Sequence, residues 1–159
     1  MSFLRYLMFL SLIVWLGALI FFPVVAQTTF AVLPTRHLAG NVVARSLSIL
    51  HWMGIGSGVV FLICSMLYAR FTVGAPHPFA VRHILVYVML ALTLVSQFSI
   101  MPRMDTLRAS IGQIDSVPPD NPARMQFDSL HVWSTRIESA VILLGLVVAY
   151  LTANITAFR

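Results

Sequence analysis

The chain has 159 residues, of which 59% are apolar and only 9% charged, and its mean hydropathy is +0.91. A soluble domain carries about a quarter charged residues, so the composition excludes an ordinary water-soluble fold, and the length leaves room for one domain and no separate soluble module. The formal charge of +5 comes without a soluble basic surface, which excludes nucleic acid as a partner and leaves the lipid bilayer.

All ten basic residues are Arg, a side chain suited to planar contacts with carboxylates and phosphates, although a GC-rich genome produces the same bias. The single cysteine, Cys64, lies in an apolar run, so neither a disulfide framework nor a cysteine-based zinc site is available.

A helix needs roughly 20 apolar residues to cross the hydrocarbon core, and four stretches qualify. The first covers about 6–33. Its Arg5, apolar core and "VVA" at 24–26 imitate a secretory signal, but the reading here is a first span, kinked at Pro23. The second covers about 40–69, the third about 80–103 and the fourth about 127–157. "GAPHP" at 74–78 is a short turn, and the long connection, 104–126, contains "SVPPDNP", which argues against a continuous helix. Backbone groups in lipid must be satisfied internally. The expected fold class is therefore all-α: a four-helix up-down transmembrane bundle over 1–159, in a bacterial inner membrane.

Arg5, Arg70, Arg82 and Arg159 fall on one side with no acid. Arg36, Arg45, Arg103, Arg108, Arg124 and Arg136 fall on the other with all five acids. Setting aside Arg45, Arg103 and Arg136, which lie inside predicted helices, the basic count narrowly places both termini in the cytoplasm.

The polar residues gather at the end of the bundle away from the termini. Asn41, Arg45, Ser48 and His51 share one arc of the second span. Thr93, Ser96, Gln97 and Arg103 share one on the third, and Asp128, His131, Thr135 and Glu138 one on the fourth. The opposite halves read as nearly pure apolar residues. Wet helix ends and snorkelling explain Arg36 and Arg103. They explain the arc of His131 and Glu138 poorly, since polar groups in membrane segments face the bundle interior and mark functional sites. A shared pocket of His51, His131, Arg45, Arg103 and Glu138 is expected.

Three chemistries suit such a pocket. A b-type haem would take His51 and His131 as axial ligands, with Arg45 and Arg103 opposite its propionates. Copper would take His51, His131 and Met101, with Met53, Met104 and Met125 nearby. Glu138 and His131, two turns apart on one face, would form an acid–base pair, but no nucleophile motif, HExxH pattern or carboxylate pair supports a named reaction. The remaining reading is non-catalytic: a small-ligand or accessory subunit of a larger membrane complex, with Glu138 paired to Arg45 or Arg103 to fix helix register. On that reading Glu138 tolerates substitution poorly, while Asp115 in the loop is silent. "GIGSG" at 54–58 has no strand before it, so it reads as close helix packing rather than nucleotide binding. Trp15, Trp52 and Trp133 read as packing or interface anchors.

The stretches "VWLGALIFFPVVAQTTFAVLP", "AGNVVARSLSILHWMG", "IMPRMDTLR" and "FDSLHVWSTRIES" resemble a small four-span membrane family. It includes bacterial proteins of unknown function, and its eukaryotic members, known as transmembrane protein 205, are associated with cisplatin resistance. The resemblance covers most of the chain and implies a four-helix membrane fold without implying active-site residues. The layout is more distantly similar to copper-resistance D proteins and haem-containing membrane protoporphyrinogen oxidases, on architecture alone.

Overall fold

A computed structural model describes residues 1–112 and 116–157. Its elements are α1 (Ser2–Val32), α2 (Arg36–Val73), α3 (Val81–Val95), a π-helical turn (Ser96–Ile100), α4 (Met101–Ile111) and α5 (Pro122–Ala157), and no strand occurs among the described residues. Four rods are long and apolar enough to cross a membrane: Ser2–Val32, Arg36–Val73, Val81–Ile111 and Pro122–Asn154. The protein is thus an all-α integral membrane protein. At 1.5 Å per residue a 31-residue helix is about 46 Å long, so each rod outruns the hydrocarbon core and its ends reach the interface.

Local chemistry sets the turns. Thr35 caps α2, its hydroxyl accepting from Leu38 N–H at 3.2 Å. Gly74 ends that helix at φ 85°, a left-handed conformation in which a Cβ is costly. Asn121 Oδ1 accepts from Ala123 N–H at 2.9 Å, and Pro122 opens α5 where a missing N–H costs nothing. The helix α1 runs on through Pro23.

Packing is most extensive between α1 and α2 and between α3 and α5, with α2–α3 and α1–α5 contacts closing the ring. The core holds Met8, Leu12, Trp15, Leu19, Phe61, Val86, Met89, Val141 and Val148. Gly54 and Gly58 let α2 approach α1: a Cβ on Gly54 would lie 2.4 Å from Trp15 Nε1, and one on Gly58 2.9 Å from Trp15 Cζ3. The packing reading of "GIGSG" holds for these two glycines, whereas Gly56 faces open space. Trp15 belongs to the core, while Trp52 and Trp133 are exposed on the outer surface.

One expectation needs correction. The connection expected at 104–126 is shorter, because α4 continues to Ile111 and α5 starts at Pro122; Asp115 lies outside the described residues. The polarity of "MDTLRASI" at 104–111 suggested a loop, yet Met104 and Arg108 continue the helical spacing from Met101 and all three are buried. The third rod also changes pitch at Ser96–Ile100. Pro102 has no N–H to donate to Phe98 O, and its ring crowds that turn. The wider π turn takes up the misfit, with Met101 N–H donating to Ser96 O five residues back.

Candidate functional site

His51 is the centre of the polar end. It follows Leu50 on the inward stripe of α2 that continues through Gly54 and Gly58, and it is wholly buried. Both ring nitrogens are engaged: Nδ1 lies 2.9 Å from Gln97 Oε1 and Nε2 2.7 Å from Glu138 Oε1. Gln97 Nε2 donates to Ser48 Oγ at 3.0 Å. Its amide oxygen is therefore left to accept, so His51 Nδ1 is the donor. Ser96 Oγ–H reaches the same Glu138 oxygen at 3.5 Å. Three rods thus contribute, and the π turn supplies two neighbouring residues, Ser96 and Gln97, to one side of the pair.

With Nδ1 as donor, a neutral His51 ring has Nε2 as its acceptor, and the 2.7 Å Nε2–Oε1 contact is short enough for a proton to lie between them. The pair exists as imidazolium and carboxylate, or as neutral imidazole accepting from a carboxylic acid. Converting one into the other moves a proton across a 2.7 Å contact, with no heavy-atom rearrangement. The Glu138 side chain keeps 16% of its surface exposed while His51 keeps none, so the carboxyl group is the part of the pair that reaches the molecular surface.

The other expected members do not join it. Arg45 is exposed, because six residues of helix place it about 120° around α2 from His51. Arg103 is also exposed, and neither arginine makes an ion pair among the described residues. Glu138 therefore pairs with His51 and not with Arg45 or Arg103. His131 is exposed on α5 beside Val132, Thr135, Arg136 and Leu143. The polar arc of α5 is real but points roughly 90° away from the buried stripe of Ser134, Val141, Val148 and Thr152, and only Glu138, at its edge, reaches inward. Asp128 is exposed, and Thr135 satisfies its hydroxyl on His131 O at 3.0 Å. Thr93 likewise donates to Met89 O. Arg136 stacks on Trp133, 5.4 Å from the ring centroid.

These positions do not fit the haem and copper readings. Both nitrogens of His51 are held by protein partners, and His131 lies on the outer surface. The methionines divide, Met101 and Met104 buried but Met53 and Met125 exposed. Among the described residues no group of three or more His, Cys, Asp or Glu side chains is placed to hold a metal ion.

A second polar cluster lies in the half expected to be apolar. Ser65 and His83 are wholly buried and Arg82 is 9% exposed. Ser65 Oγ is 2.7 Å from His83 Nε2, Arg82 Nε donates to Ser65 Oγ at 2.9 Å, and His83 Nδ1–H donates to His77 O at 2.7 Å. Its sequence signal was the adjacent pair "RH" at the start of the third span, which reads as an interfacial end unless Ser65 is known to face it.

Comparison with curated proteins and with solved structures finds no match. Residues 10–113, more than half of the chain, match the family model described as Domain of unknown function (DUF4149). The matched region contains Ser48, His51, Ser96 and Gln97 together with Ser65, Arg82 and His83, and stops before Glu138. By this match the protein is a member of the DUF4149 family.

Proposed function

We propose that this small integral membrane protein binds and releases a proton at the His51–Glu138 pair, as a non-catalytic or accessory component of a larger membrane assembly. The ligand of the polar end is then the proton itself. The observation that carries the reading is a wholly buried imidazole, with its tautomer set by Gln97, 2.7 Å from a partly exposed carboxyl group. Ionisable groups inside membrane bundles serve as proton relays and coupling sites, and an imidazole–carboxyl pair exchanges one proton at little geometric cost.

Titrating the detergent-solubilised protein through the range where carboxylates and imidazoles ionise in solution tests this. Relative to wild type, Glu138→Gln is expected to remove close to one bound proton per chain. An unchanged proton count would contradict the proposal.

A further inference from the structure

The cluster at the opposite end takes no part in the His51–Glu138 pair, and its hydrogen bonds run in one direction. His83 Nδ1–H donates to His77 O in the α2–α3 turn, which leaves Nε2 as an acceptor. Ser65 O–H donates to that nitrogen, and the Ser65 oxygen accepts from Arg82 Nε–H. Each role is set by the one before it, from the turn carbonyl to the guanidinium. The result is an arginine held by its Nε edge, more than nine-tenths buried.

Among the described residues no acidic side chain pairs with it. Residues 1–95 contain neither Asp nor Glu, and the two acids of α5, Asp128 and Glu138, lie toward its other end. Ser65 and His83 satisfy the Nε edge but carry no compensating negative charge, and the Nη groups make no hydrogen bond to another described residue. Buried charges are paired or bound to a counter-ion, and the planar pair of Nη groups matches the oxygens of a phosphate. Arg82 stands at the first turn of α3, at the starting end of a rod long and apolar enough to cross a membrane, and basic pockets at such ends of membrane helices hold lipid phosphates.

We propose that Arg82, aimed by Ser65 and His83, forms a binding site for a phosphate group at the membrane face that carries the N-terminus. The phosphate comes from an anionic phospholipid headgroup or from a free phosphate ion, and the guanidinium fork is the element that reads it.

Native mass spectrometry of the full chain in detergent, with phosphatidylglycerol titrated in, tests the site. Wild type is expected to retain one lipid, and Arg82→Gln to weaken retention about tenfold or more, the scale of a lost hydrogen bond to a charged group. Arg70→Gln, an exposed arginine one turn from the end of α2, should bind like wild type. Ser65→Ala keeps the charge but frees its direction. It should weaken retention several-fold, and it carries the test if Arg82→Gln does not fold. Displacement of the lipid by inorganic phosphate would assign the site to phosphate alone, and failure to displace it would assign it to the headgroup in its bilayer setting. Equal binding by wild type, Arg82→Gln and Ser65→Ala would overturn the proposal. So would an equal loss in Arg70→Gln, or wild type binding neither the lipid nor phosphate.

Discussion

The carboxylate of Glu138 faces a partner that can itself lose its charge, and this changes what removing Glu138 costs. Had the partner been an arginine, Glu138→Gln would have stranded a permanent charge in the membrane at about 3–5 kcal/mol. Facing His51, the substitution leaves a neutral imidazole whose Nε2 accepts from the new amide. The expected loss is smaller, on the order of 1–3 kcal/mol in thermal or denaturant unfolding, the scale of a compromised buried hydrogen bond. Arg45→Gln, at an exposed position without an ion pair, should change stability by less than about 0.5 kcal/mol. If Arg45→Gln proves as damaging as Glu138→Gln, the assignment of partners is wrong. The sequence carried part of this: His51 and Glu138 were visible as ionisable groups inside apolar helices. Their pairing was not, because a helical arc gives the spread of polar residues around an axis but not which way the helix is rotated. That rotation is set by Val141, Gly145 and Val148 packing inward, which turns His131 outward.

On α2, two glycines two residues apart should behave differently. Gly54→Ala pushes a methyl group against the indole of Trp15, which is 1% exposed and whose Nε1–H has no hydrogen-bond partner. Overpacking of that kind costs about 1–3 kcal/mol, so this variant should melt earlier than wild type. Gly56→Ala meets nothing within 4 Å and gains helix propensity of up to about 1 kcal/mol, so it should melt at the same temperature or higher. Equal melting of the two variants would mean that α1 and α2 are not in this register. The spans themselves were legible, since apolar length alone marks a membrane helix. The π turn was not, because Pro102 announces a disturbed helix without saying whether it ends, bends or widens. Nor was α4, whose buried stripe of Met101, Met104 and Arg108 was obscured by the falling hydropathy around it.

Across the whole molecule, the two polar clusters lie at opposite ends, with Ser65 14 residues along α2 from His51 and about 21 Å of helix between them. Trp15, Gly58 and Phe61 occupy the packed middle, so each cluster belongs to its own end of the bundle and no continuous polar path joins them among the described residues. We propose cytoplasmic termini, with the connection before α5 on the far side, from the narrow excess of arginines that remains once Arg45, Arg103 and Arg136 are set aside. Reporter fusions at the C-terminus and within 116–121 are expected to report cytoplasmic and external locations respectively, and the reverse pattern would invert the assignment. Infrared difference spectroscopy between acid and alkaline samples reads most directly the proton that His51 and Glu138 are proposed to share. Among the protonated-carboxyl bands of wild type, one is predicted to be lost in Glu138→Gln and to shift in its pH dependence in His51→Gln, while those of the four Asp side chains remain. A Glu138 band that titrates identically with and without His51 would contradict the account.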